Sequence, residues 1–309
     1  MLRKIVFCWM IGIVTLIGCS LQPYTKNMIY PQEDTYYEEN MKRDLLCLMM
    51  AYPEYIINIE KKDENVYIIM KSGKKILYDD KRKKSYPEKI DNGDLQDMME
   101  EIYPIDQIDH LMEENFDPGR IRHYDLMKEV YGQTKDDVEK NIINVQTKYQ
   151  KFPFNKNNQA AKALKEAMDE IEKLIEKNKQ IYSFVYPISG TFNYRLILGT
   201  YRLSPHSFGT AIDLARDKRD YWKWTTRKEG EKRLLSYPKE IVTIFENNNF
   251  IWGGKWGHFD ILHFEYRPEL ILKSKYFGDY HKTTKIWYEG VPNNEGIKKY
   301  ITKIENALQ

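Results

Sequence analysis

The chain has 309 residues, with 48 Lys and Arg against 46 Asp and Glu and a formal net charge of +2 at pH 7. A balance that close gives no reason to propose a nucleic-acid partner, which calls for a concentrated basic surface. Its three cysteines, Cys8, Cys19 and Cys47, are too few for a disulfide framework.

Met1-Leu-Arg-Lys4 is a short basic segment, and residues 5–17 form an apolar run too short for an ordinary spanning helix. The run ends in Leu16-Ile-Gly-Cys19, which resembles the bacterial lipobox. That resemblance implies cleavage before Cys19 and lipid on its thiol. Residues 1–18 then form a lipoprotein signal peptide, and the mature chain is a membrane-anchored, extracytoplasmic lipoprotein of a bacterium. A plain secretory signal, or an uncleaved anchor, is the alternative. With Cys8 removed and Cys19 carrying lipid, only Cys47 remains, so the mature protein has no intramolecular disulfide. Cys47 lies in the apolar run Leu45-Leu-Cys-Leu-Met-Met50, which points to a buried thiol.

Residues 19–40 are polar, with Pro23, Pro31 and the pair Glu38-Glu39, and read as a linker. Residues 41–130 read as a small accessory region. Within it, residues 55–59, 66–70 and 75–78 alternate as a short meander, with a Lys71-Ser-Gly-Lys74 turn before the last strand. The basic run Lys81-Arg-Lys-Lys84 reads as a solvated loop. Residues 95–102 read as a helix, and Asp117-Pro-Gly-Arg120 as a turn whose arginine either supports the catalytic domain or, the favoured reading, has a structural role.

Asp136 or Asp137 can cap a helix running to about Tyr149. Asn157 or Asn158 can cap a longer one through Lys177, where Ala, Leu, Met and Ile recur at helical spacing. Residues 182–186 look strand-like, residues 238–247 helical with Pro238 in the first turn, and residues 250–252 and 261–265 strand-like again. An amphipathic helix over residues 295–308 lies within the C-terminal segment 291–309.

Two stretches between these elements carry chemistry. The first is Ser204-Pro-His206-Ser-Phe-Gly209-Thr-Ala-Ile-Asp213, and the second Asp260-Ile-Leu-His263-Phe-Glu265. Together they supply two imidazoles and a carboxylate, His206, His263 and Asp213. That is the kind of three-ligand N/O set a catalytic Zn2+ takes, with a fourth position kept for water or substrate. Gly209 can turn the chain between His206 and the apolar run that holds Asp213. His263 and Glu265 share a strand face, whereas Asp260 is out of phase and falls at a bend just before the strand. Asp260 is thus the candidate general base and acid. His258 is a competing ligand, with a place beside the ligands or facing substrate favoured for it. Glu265 can orient His263 or form a buried ion pair with an arginine.

These residues resemble the VanY-type zinc D-alanyl-D-alanine carboxypeptidase family, which also holds L-alanyl-D-glutamate peptidases. Its pattern is Ser-x-His-x-x-Gly-x-Ala-x-Asp, then an acidic residue three before a His in a His-Phe-Glu context. Ser204, His206, Gly209, Ala211 and Asp213 meet the first part, and Asp260, His263, Phe264 and Glu265 the second. The resemblance spans roughly residues 135–290 and implies a zinc peptidase domain there. It implies His206, Asp213 and His263 as zinc ligands and Asp260 as catalytic acid/base. It also implies an upstream arginine on the substrate, best matched by Arg195 in Phe192-Asn-Tyr-Arg195, with Arg202 competing. The substrates it implies are peptidoglycan stem peptides, with D,D-carboxypeptidase activity slightly favoured over cleavage of the L-Ala-D-Glu bond. A catalytically silent, wall-binding or morphogenetic lipoprotein with a peptidase fold is the second hypothesis. The expected fold is α+β: a small, mostly antiparallel sheet carrying the zinc site, flanked by helices and preceded by the accessory region.

Overall fold

The computed structural model describes residues 33–278 and 286–309. The signal-like segment and Cys19 lie outside the described residues. The first helix, α1 (Glu33–Ala51), takes in residues 33–40, which composition places in a linker. The polar residues there are tied into the helix by ion pairs one turn apart, Glu38 with Lys42 and Glu39 with Arg43. Leu45, Leu46, Cys47, Leu48 and Met49 are buried on it. Burial pushes the Cys47 thiol up, so it stays protonated, as its apolar run suggests.

The meander follows as β1 (Ile56–Lys62), β2 (Asn65–Met70) and β3 (Lys75–Leu77), antiparallel in that order. Val66, Ile68 and Met70 face inward at alternate positions. Next come α2 (Tyr86–Asn92) and α3 (Leu95–Met99), which stops short of residue 102, then α4 (Tyr124–Tyr131). Helix α5 (Lys135–Asn141) is capped by Thr134, whose Oγ accepts from the Asp137 N–H, and not by Asp136 or Asp137. It does not reach Tyr149. The chain turns instead into an antiparallel hairpin, β4 (Ile142–Gln146) and β5 (Lys151–Asn155). Ile143 and Val145 are β-branched, and pairing with Phe154 and Phe152 suits them better than a helix surface.

Helix α6 (Ala160–Lys177) ends where its periodicity ends. Residues 182–186, read as strand-like, contain a helical turn, α7 (Tyr182–Val185). Among the described residues no strand pairs with this segment, and the Tyr186 N–H is satisfied by Tyr182 O at 2.8 Å. The remaining elements are β6 (Ala211–Asp213), α8 (Arg227–Ser236), α9 (Lys239–Asn247), β7 (Phe250–Trp252), β8 (His263–Tyr266), α10 (Pro268–Phe277) and α11 (Glu295–Leu308). Helices α8 and α10 have no counterpart in the sequence reading.

The sheet that positions the site is antiparallel, in the order β6-β8-β7. Helix α9 covers one side, with Phe245 stacked on Phe264 at 4.2 Å between ring centroids. The fold is α+β, with small antiparallel sheets among helices. Residues 41–130 share one continuous core with the rest. Buried polar contacts join the two parts: Tyr52 Oη donates to Glu269 at 2.7 Å, Lys273 pairs with Asp44 at 2.6 Å, and the Trp252 N–H donates to Tyr103 Oη at 3.0 Å.

Candidate metal centre and active-site cleft

Ser204 begins the local geometry. Its Oγ accepts from the His206 N–H and caps a short 3-10 turn over Pro205–Phe208. Gly209 ends that turn at φ +66°, and a Cβ there would come within 2.5 Å of Ile142 Cδ1. Glycine therefore serves both the left-handed turn and the close packing. The chain then enters β6, where Asp213 lies directly across from His263 on β8, and Ala211 across from Glu265. The period of two puts Asp213, His263 and Glu265 on one face.

Donor atoms of His206, Asp213 and His263 all lie within 4.8 Å of one another. His206 Nε2 is 3.3 Å from Asp213 Oδ2, and His263 Nδ1 is 2.8 Å from Asp213 Oδ1. Tetrahedral ligands at zinc distances stand about 3.3 Å apart, so this set fits a Zn2+ ion with little movement. The tautomers fit as well. His206 Nδ1–H donates to Thr191 O at 2.6 Å, which frees Nε2 as a ligand. A second acidic group, Asp79, Asp80 and Asp94, is spanned by the Lys84 ammonium, at 2.9 Å from Asp80 and 2.6 Å from Asp94.

The electrostatics follow from burial against these contacts. Burial alone would raise Asp213, but the two imidazoles hold its carboxyl well below the usual range. Burial pulls His263 down, yet its bonds to Asp213 and Glu265 prevail and raise it to about 10. Glu265 is fully buried 3.6 Å from His263 Nε2, and Arg122 grips it with Nε at 2.8 Å and Nη2 at 2.6 Å. Despite burial, that clasp keeps Glu265 ionised.

Asp260 stands in an isolated bridge with Tyr221, just before the turn that leads into β8, and outside the three-residue donor group. Its N–H donates to Gly253 O at 2.9 Å, and a Cβ on Gly253 would press within 2.5 Å of Asp260 O. Gly253 thus serves this close approach. Burial, reinforced by the Asp213 charge and opposed by His263, raises the Asp260 carboxyl to about 7. Asp260 and the three donors line one cleft of about 460 Å³, with Arg120, Arg195, Arg202, Tyr221, Trp256 and His258 among its other walls.

The other candidates separate by their contacts. His258 is not part of the donor group, and its Nδ1–H donates to the buried Asp117 at 2.6 Å. Arg195 reaches the cleft wall from an exposed position, and its guanidinium has no partner among the described residues. Arg202 is tethered beside Asp91 and donates to Ile90 O at 3.3 Å. Sequence reasoning missed Arg122 and Asp117. No local pattern marks either, since both act on residues more than 140 positions away.

No curated protein and no solved structure matches the chain. Residues 198–266 match the family described as D-alanyl-D-alanine carboxypeptidase, so the stretch that carries His206, Asp213, Asp260 and His263 is similar to a peptidase family.

Proposed function

We propose that this protein is a zinc-dependent peptidase that hydrolyses peptide bonds in peptidoglycan stem peptides. The observation that carries the reading is the convergence of His206, Asp213 and His263 to within 4.8 Å, beside Asp260, inside the stretch similar to D-alanyl-D-alanine carboxypeptidases. When bound there, a zinc ion supplies Lewis acidity that polarises a carbonyl and acidifies water.

The chain's own residues divide the remaining work. Thr191 and Glu265 hold the two imidazoles in orientation, and Arg122 holds Glu265. Asp260, a carboxylate on the cleft wall beside the donor set, is the group assigned to take a proton from attacking water and give it to the leaving amine. Arg195 lines the cleft wall, which supports its assignment to the carbonyl oxygen of the bond that is cut.

Between the two bonds of a stem peptide, we favour the terminal D-Ala-D-Ala bond over L-Ala-D-Glu. The cationic wall of Arg120, Arg195 and Arg202 suits a free carboxylate better than an uncharged chain running through. The reading includes a lipid anchor on Cys19 at the outer face of a bacterial membrane. Among the described residues no helix is long and apolar enough to cross a membrane.

Digestion of purified muropeptides, with products assigned by mass, tests the reading. Loss of one alanine from pentapeptide stems is expected. Release of L-Ala-bearing fragments would move the assignment to the endopeptidase. Binding to muropeptides without any cleavage in the zinc-loaded protein would favour the silent wall-binding lipoprotein.

A further inference from the structure

The turn Asp117-Pro118-Gly119-Arg120 lies outside the stretch that matches the peptidase family, yet it delivers a guanidinium to the cleft. The Arg120 N–H donates to Asp117 O at 2.9 Å and closes the turn. Gly119 sits at φ +95°, where a Cβ would come within 2.3 Å of Ile251 Cδ1. Arg267 clamps Gly119 O at 2.6 Å, and Trp256 Nε1 donates to Pro118 O at 2.8 Å. The backbone beneath Arg120 is therefore held from several sides.

Its side chain is held as well. Nη1 donates to Asp117 Oδ2 at 3.0 Å and to Tyr86 Oη at 3.2 Å, and the guanidinium carbon lies 5.9 Å from the Trp256 ring centroid. Nε and Nη2 have no protein partner among the described residues, while Arg120 lines the cleft with His206, Asp213 and Asp260. Asp117, fully buried, also holds His258: its Oδ2 accepts from Nδ1–H at 2.6 Å and its Oδ1 from the backbone N–H at 2.9 Å. His258 lines the cleft too, and its Nε2 has no protein partner among the described residues. One buried carboxylate thus presents two nitrogen-bearing side chains to the substrate space.

Arg195, by contrast, is exposed and unanchored, so fixing it on a ligand costs side-chain entropy that Arg120 has already lost on folding.

We propose that Arg120, positioned by Asp117 and flanked by His258, binds the substrate carboxylate on the leaving-group side of the bond that is cut. This rests on the peptidase reading. A planar fork with its Nε–Nη2 edge free matches a carboxylate better than a point charge does. The division leaves Arg195 for the carbonyl oxygen.

The test uses the zinc-loaded protein and two synthetic stem peptides that differ only in a C-terminal carboxylate or carboxamide. Wild type should prefer the acid. Arg120→Gln should lower the acid-over-amide ratio of kcat/KM about tenfold or more, through KM for the acid, as loss of a charge-assisted contact implies. Arg120→Lys should restore only part of the preference, and Asp117→Asn should shift it in the same direction as Arg120→Gln. Should Asp117→Asn fail to fold, the Arg120 variants decide. An unchanged ratio in Arg120→Gln, or its collapse in Arg195→Gln alone, overturns the proposal. If neither peptide is cut, the peptidase reading fails on its own. Calorimetric titration of both peptides then still reads the carboxylate site, and equal affinity of wild type and Arg120→Gln for the acid overturns it.

Discussion

Arg122 and Glu265, 143 positions apart in the chain, form a two-point clasp of 2.8 and 2.6 Å beneath the metal centre. Glu265 is fully buried and faces His263 Nε2 on its other side. The clasp therefore ties the orientation of an expected zinc ligand to a residue outside the matched stretch. Arg122→Met leaves a buried carboxylate with only longer contacts, to Arg267 at 3.5 Å and His263 Nε2 at 3.6 Å. The expected loss is about 3–5 kcal/mol of stability, with zinc affinity down roughly 10–100-fold in whatever remains folded. Urea denaturation and a competitive zinc titration check the two halves. Unaltered zinc affinity in folded Arg122→Met would show that Glu265 does not orient His263.

Zinc binding should release a proton. In the metal-free fold His263 is raised to about 10, so at pH 7.5 it carries an extra proton that must leave before Nδ1 can become a ligand. Calorimetry in buffers of different ionisation enthalpy should count about one proton released per zinc bound. His206→Ala should abolish retention of the metal by elemental analysis. Equal zinc content in wild type and this variant would remove the site from these residues.

Asp260 is expected to serve chemistry and not metal retention, because it stands outside the donor group. Asp260→Asn should keep its zinc and lose about 10²–10⁴-fold in kcat. A variant that loses the metal instead would make Asp260 a ligand.

Glu101 gives a pH signature of stability. Burial, with the nearby Asp117 and Glu100 charges, pushes its carboxyl up to about 7 from 4.5, against the Asp117 N–H that donates to it at 2.9 Å. Between those two values the folded state binds more protons than the unfolded chain, so stability falls as pH rises through this window. Its full contribution is present below the unfolded value and is lost above about pH 7. Glu101→Gln keeps an acceptor for Asp117 and removes the titration. Relative to wild type it should gain about 2 kcal/mol on going from pH 5 to pH 8, read from urea midpoints. A difference between the two proteins that does not change with pH would refute the assignment.

Local pattern determined much of this protein. The two motifs carry all the donor residues: the period of two puts Asp213, His263 and Glu265 on one sheet face, and His206 stands in the short turn framed by Ser204 and Gly209. The meander, the end of α6, the turn at Asp117–Arg120 and helix α11 follow equally from periodicity and turn chemistry, which act over a few residues. Where a segment's partner lies far along the chain, pattern is silent or misleads. Residues 142–146 continue a helical-looking stretch but pair as a strand with residues 151–155, and residues 182–185, strand-like by composition, have no strand partner among the described residues and coil into a turn. The site divides in the same way. Its donor atoms come from short motifs, but Arg122 beneath Glu265 and Asp117 behind Arg120 and His258 do not. A buried charge must find its counter-charge in space, and only the folded chain decides which residue stands there.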